Sequence, residues 1–265
     1  MTIEAETMDP GARGAFDLSG RMALVTGGGS GLGFAMATAL CQHGASVVLV
    51  GRDGKKLDNA VSELTRHGHA ARAEICDLVD ADATEALLEG IDRRGEVIDI
   101  LVNNAGVQHR QPLTEIKDAD WDRVLLTNLT VPFRLARTVG RSMIARRSGK
   151  IINTLSVLAD LGRSSVVPYA AAKGGLKMFT RGLATEFGPA NIQVNGIAPG
   201  YFATDMNAAL VADDQFSGWL LARTPMRRWG KPAELGGAAV FLASQASDFV
   251  TGHVLTVDGG LTASV

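Results

Sequence analysis

Cysteine is scarce in this chain of 265 residues: there are two, Cys41 and Cys76, and no Cys-x-x-Cys pair. That usage argues against a disulfide framework or a zinc site, and points to two buried thiols in a reducing compartment, the cytoplasm. The five histidines form no His-Glu-x-x-His or other ligand spacing, so no metal is expected. Charge of one sign is also missing. A net charge of −2 and a pI near 6.2 exert no general pull toward nucleic acid or an anionic membrane. The N-terminus lacks the basic stretch and apolar core of a signal peptide, and residues 1–17 read as a flexible leader. Residues 22–51 contain no Asp, Glu, Lys or Arg. Glycines 27–29, Ser30, Gln42, His43 and Gly44 divide that run into strand, turn, helix and strand, too short in pieces to cross a bilayer. No repeat, low-complexity run or linker follows residue 20.

What is present is a regular alternation. At 46% hydrophobic residues the chain can bury the core of one α/β domain, assigned to residues 18–265. Apolar runs at 21–26, 46–50, 71–76, 98–102, 149–154, 192–198 and 253–257 predict seven strands. Helical stretches between them, including 31–43, 55–67, 81–93, 118–147 and 232–244, predict parallel crossovers in a doubly wound sheet. The first strand ends in Gly27-Gly28-Gly29-Ser30-Gly31-Leu32-Gly33 before a helix. Glycines there permit a tight turn and let backbone approach a pyrophosphate, whose charge meets the helix N-terminus. At the end of the second strand an acidic residue would hold a ribose 2′-hydroxyl and favour NAD. The chain offers Gly51 and Arg52 instead, and Arg52 can pair with a 2′-phosphate, which favours NADP and leaves NAD possible. Asp53 reads as a helix cap.

Tyr169 and Lys173 lie four apart in an alanine-rich run just after Pro168, so one helix face carries both. A phenol is a poor base at neutral pH, and a nearby ammonium would bring its pKa down toward the working range. Ser156, at the carboxyl end of the fifth strand, supplies a hydroxyl for a substrate oxygen where negative charge develops. Taken alone, Tyr-x-x-x-Lys is also a common snorkelling surface pair.

Ser156, Tyr169-x-x-x-Lys173, the turn Gly27-x-x-x-Gly31-x-Gly33 and Asn103-Asn104-Ala105-Gly106 together resemble the short-chain dehydrogenase/reductase family, over nearly the whole chain from Leu18 onward. The resemblance implies a Rossmann-type fold and reversible hydride transfer between NADP(H) and a secondary alcohol or ketone. It implies catalytic roles for Asn128, Ser156, Tyr169 and Lys173, with Asn128 distorting its helix and holding a water in a proton relay. It implies cofactor contacts at Gly27, Gly29, Ser30, Gly31, Leu32, Gly33, Arg52, Asp77, Leu78, Asn104, Ala105, Gly106, Tyr169, Lys173, Pro199, Gly200, Phe202 and Thr204. Asp77 matches a residue that bonds the adenine amino group, and equally suits a cap for the 81–93 helix. Asn103 would stabilise the sheet centre. A homotetramer built on paired long helices is the family's usual assembly.

Segments 103–110, 192–202, 223–230 and 257–264 resemble the branch of that family acting on gluconate at C5. Such a substrate is anionic and rich in hydroxyls, and needs a cation with several hydrogen-bonding groups. Arg110 and Arg163 are the candidate substrate cations beside Ser156 and Tyr169, and Gln108 and His109 add hydrogen-bonding groups. Residues 203–228 read as short helices forming a lid. Three other readings stand beside this one. The chain could be a reductase of 3-oxoacyl thioesters or another polyol, a dinucleotide-binding regulator without catalysis, or a purely structural oligomer that binds no dinucleotide.

Overall fold

Short β-branched runs set the sheet. The computed structural model describes residues 14–264, in which β1 (Met22–Thr26), β2 (Ser46–Gly51), β3 (Ala71–Ile75), β4 (Ile100–Asn103), β5 (Gly149–Thr154), β6 (Ile192–Pro199) and β7 (Val254–Val257) form one parallel sheet. Its order is β3-β2-β1-β4-β5-β6-β7. The order reverses between β1 and β4, which pair through Ala23 with Ile100 and Val25 with Val102. Ligands of such sheets bind outside the carboxyl ends of the strands at that reversal.

Period-two alternation then fixes the layers. Ala23 and Val25 face α1 (Gly31–Gln42), α2 (Gly54–Arg66) and, from the far end of the chain, Leu235 and Val240. Leu24, Leu101 and Ile151 face the opposite layer of α3 (Ala81–Arg93), the long helix pair of the middle of the chain, and α6 (Val167–Phe187). Both sheet faces are therefore covered, as an all-parallel sheet requires. Its outer edge strand β3 is polar, and Arg72, Glu74, Arg94 and Glu96 pair along it.

The predicted helix over 118–147 is instead three pieces: α4 (Asp118–Leu125), a π-helical turn (Leu126–Thr130) and α5 (Val131–Arg146). Two residues explain the break. Asn128 Nδ2 donates to the Val124 carbonyl at 2.8 Å and to the Val107 carbonyl at 2.9 Å, diverting a carbonyl of the helical ladder. Pro132 has no N–H to return to the carbonyl four residues back. Residues 203–228 carry a 3-10 turn (Asp205–Asn207), α7 (Ala208–Val211) and α8 (Asp214–Arg223). The predicted helix over 232–244 begins as a 3-10 turn (Pro232–Leu235) and becomes α9 (Gly236–Ala243).

Two capping expectations resolve. Asp53 caps α2 by accepting from the Lys56 amide at 3.1 Å. The α3 cap is Asp80, which accepts from the amides of Asp82 and Ala83, so Asp77 is not that cap. Asp77 takes the Val79 amide at 3.2 Å. Of the expected leader, residues 1–13 lie outside the described residues, whereas the Ala15 carbonyl accepts from the Ala246 amide at 3.1 Å.

Candidate active site

The glycine turn is shaped by what it must let through. Gly33 lies so close beneath the turn that a Cβ there would sit 2.2 Å from the Gly27 carbonyl oxygen and 2.4 Å from Asn104 Nδ2. Gly27 has φ +63° and would likewise press on Asn104 and Ala105. Thr26 joins the turn to the loop after β4. Its hydroxyl accepts from the amides of Asn104 at 2.8 Å and Ala105 at 3.0 Å, and donates to the Val102 carbonyl. Asn104 Nδ2 in turn donates to the Thr26 carbonyl at 3.0 Å. No motif marks Thr26, because a threonine closing a strand is common and its partners are 76 or more residues away.

Above these carboxyl ends lies a cleft of about 270 Å³. It brings together Gly27, Ser30, Gly31 and Leu32 of the turn, Asn104, Ala105 and Gly106, Asn128, Ser156, Tyr169, Lys173, and Pro199, Gly200, Phe202 and Thr204. Arg110, Arg163 and Gln108 line it too. Gly29, Gly33, Arg52, Asp77 and Leu78 do not. Gly29 and Gly33 support the turn, and Arg52 is exposed at the end of β2 with no ion pair among the described residues. His109 also lies outside the cleft: its Nε2 meets Gln111 Oε1 at 2.8 Å and its Nδ1 lies 3.5 Å from Asp120. The lid contributes Asp205, Met206 and Asn207, three residues that no motif marked.

Tyr169 is buried in the first turn of α6, and Lys173, one turn later, is buried beneath it. Lys173 Nζ donates to the Thr154 carbonyl at 2.6 Å, which anchors the helix face to the end of β5. Its Nζ lies 5.6 Å from the centre of the Tyr169 ring. Burial pushes the Tyr169 phenol up to about 12 and pulls the Lys173 ammonium down to about 7. The expectation that Lys173 lowers the Tyr169 pKa therefore does not hold for the protein alone. Desolvation disfavours both charges, and the groups that draw the phenol back are Ser156, through a hydrogen bond, and the Arg110 guanidinium. Ser156 Oγ also accepts from the Leu158 amide at 3.1 Å, which fixes its direction.

Asn128 is fully buried, and among the described residues neither its Oδ1 nor Thr154 Oγ1 has a hydrogen-bond partner. A Cβ on Gly106 would come within 2.7 Å of that Asn128 oxygen. Asn103 lies deeper, donating to Asn153, which donates to Thr180, across the middle of the sheet.

The two guanidinium groups are held differently. Arg163 lies over the rings of Phe216 at 4.6 Å and Tyr201 at 5.9 Å and donates to the Tyr201 hydroxyl at 3.3 Å. Tyr201 and Phe216 pack on each other, Tyr201 meets Trp229 edge-on, and Phe216 packs at a tilt on Trp219. Arg110 reaches the lid, donating to Asn207 Oδ1 at 3.3 Å. Chemically, the cleft offers a phenol, a hydroxyl and two guanidinium groups together with a glycine turn.

A family model described as enoyl-(acyl carrier protein) reductase matches residues 27–262. Gluconate 5-dehydrogenase of Gluconobacter oxydans is 48% identical over 94% of this chain and 98% of its own length. The 5-keto-D-gluconate 5-reductase of Escherichia coli K12 is 46% identical over the same shares. A crystal structure of a gluconate 5-dehydrogenase from Burkholderia cenocepacia, in complex with NADP and tartrate, superposes with a TM-score of 0.91 at 46% identity, covering 95% of this chain and 98% of that one. With its seven-stranded sheet and its Ser156, Tyr169 and Lys173 at the strand ends, the chain belongs to the short-chain dehydrogenase/reductase family.

Proposed function

We propose that this chain is an NADP(H)-dependent oxidoreductase that interconverts D-gluconate and 5-keto-D-gluconate. The observation that carries the reading is the cleft itself: Tyr169 and Ser156 line it together with a glycine turn and two guanidinium groups. A dinucleotide fits the residues present. The glycine turn lines the cleft at Gly27, Ser30, Gly31 and Leu32, a Cβ on Gly33 would press on the Gly27 carbonyl, and among the described residues Asn128 Oδ1 and Thr154 Oγ1, on residues that also line the cleft, have no partner. The turn from Gly27 to Leu32 would hold the pyrophosphate, Arg52 the 2′-phosphate, Asp77 the adenine, Lys173 the nicotinamide ribose, and Pro199 to Thr204 the carboxamide. When bound, the nicotinamide supplies or takes up hydride.

In the reducing direction Tyr169 gives its proton to the ketone oxygen, and Ser156 hydrogen-bonds that oxygen as negative charge develops on it. Arg110 stabilises the phenolate left behind. Asn128, through its unpartnered oxygen, holds the water that returns a proton. Arg163 and Arg110 take the carboxylate, a bidentate task suited to guanidinium rather than ammonium. The lid at about 203–228 closes over one domain at 18–265. The exposed Phe133 and Ile144 of α5 and Met178 of α6 suit a homotetramer. No described helix is long and apolar enough to cross a membrane. Two free buried thiols suit a reducing cytoplasm.

The test follows NADPH consumption with 5-keto-D-gluconate and, separately, a 3-oxoacyl thioester. Turnover of the sugar acid is expected. Turnover of the thioester alone would overturn the substrate assignment, and NADP binding without turnover of any carbonyl would favour the regulator.

A further inference from the structure

Among the described residues, the polar side chains at 109–111 of the loop after β4 each make at least one hydrogen bond within the protein. Arg110 bonds Asn207, His109 bonds Gln111, and Gln111 bonds Glu115. The amide oxygen of Gln108 is buried and has no hydrogen-bond partner among the described residues, although Gln108 lines the cleft with Ser156, Tyr169 and the two arginines. Leaving a desolvated amide oxygen unpaired is unfavourable, and a protein that keeps one in its ligand cleft has reserved an acceptor for a donor brought by the ligand. Asn103, Asn128 and Thr154 also carry orphaned oxygens, but Asn103 does not line the cleft, Asn128 is assigned to the proton relay, and Thr154 is the residue whose carbonyl accepts from Lys173. Gln108 is not part of that relay. A carboxylate has no proton to donate, and the reacting ketone oxygen has none either. The donors of a sugar acid are its hydroxyls.

We infer that Gln108 accepts a hydrogen bond from a hydroxyl of the bound polyol chain, and thereby makes the site select hydroxylated ketones over deoxygenated ones of the same length. The inference rests on the sugar-acid reading for the choice of ligand. Its physical basis is asymmetric: a substrate lacking the hydroxyl leaves the amide unpaired in the closed site, so rejection is stronger than the loss of one contact.

The test compares wild type with Gln108→Met, which keeps the length of the side chain and removes its polar atoms. Two ketones serve as probes, 5-keto-D-gluconate and 5-oxohexanoate; the second keeps the carboxylate and the C5 ketone and has no hydroxyl. In the variant, kcat/KM for 5-keto-D-gluconate is expected to fall on the order of 10–100-fold, with 5-oxohexanoate unchanged or improved. The melting temperature should hold or rise, since an unpaired buried amide has been removed. Equal losses on both ketones, or a lowered melting temperature, would mean a structural amide and overturn the inference; so would an unchanged ratio. If wild type fails on 5-keto-D-gluconate, the sugar-acid reading falls by itself. The pair dihydroxyacetone and acetone then decides Gln108 through the same change in ratio.

Discussion

The phenol of Tyr169 stays protonated well above neutral pH in the protein alone, because burial outweighs the pull of Ser156 and Arg110. The sign of the pH dependence follows. Ketone reduction uses the acid form, which is fully present below the raised pKa and lost only as pH rises through it. Alcohol oxidation uses the base form, which grows about tenfold per pH unit below that pKa. Oxidation should therefore keep climbing past about pH 9, while reduction shows no acid-loss limb until strongly alkaline pH. Steady-state profiles of kcat/KM in the two directions check this, and an oxidation plateau near neutrality would contradict it. At this scale the identity of Ser156, Tyr169 and Lys173 was legible in the sequence, since four-residue spacing on a helix is local geometry. The electrostatics were not. The cation that acts on Tyr169 is Arg110, 59 positions upstream in sequence numbering, and only the fold brings it there. The aromatic seat of Arg163 was equally hidden, because it joins a lid whose helices are short and weakly patterned.

Among elements, strands in the sheet interior were read nearly to the residue. Strands β1, β2, β5 and β6 are apolar runs ended by glycine, asparagine or proline, a signal that burial on both faces imposes. The break in the long helix was legible only in part. The residue responsible, Asn128, is visible, but a π turn depends on its side chain finding the Val107 carbonyl on another loop. Asp77 was ambiguous for a similar reason: two aspartates flank the start of α3, and only backbone geometry makes Asp80 the cap. The turn between β1 and α1 yields a prediction here. Gly33→Ala forces a Cβ into the Gly27 carbonyl and should destabilise the protein by about 2 kcal/mol or more, lowering the melting temperature by roughly 4–8 °C. Gly237→Ala, on α9 with open space around it, is the control and should cost nothing measurable. Equal melting temperatures for the two variants would show that the turn is not packed as described.

For the whole molecule, the cofactor choice is the sharpest consequence of the topology. Parallel order β3-β2-β1-β4 puts the end of β2, with its free Arg52, beside the crevice at the sheet reversal. Asp53, the residue that could have favoured NAD, is spent on capping α2. A thermal shift larger with NADP than with NAD is expected, and Arg52→Gln should narrow the difference by roughly tenfold in affinity. A larger shift with NAD in wild type would reverse the assignment. The proposed reaction pairs a proton from buried Tyr169 with hydride from a bound dinucleotide. NADPH consumption in the presence of 5-keto-D-gluconate, measured for wild type and Tyr169→Phe at matched cofactor saturation, tests it most directly. Loss of about 10²–10⁴-fold in kcat with NADPH binding retained is the predicted result. Undiminished turnover by the phenylalanine variant would contradict it.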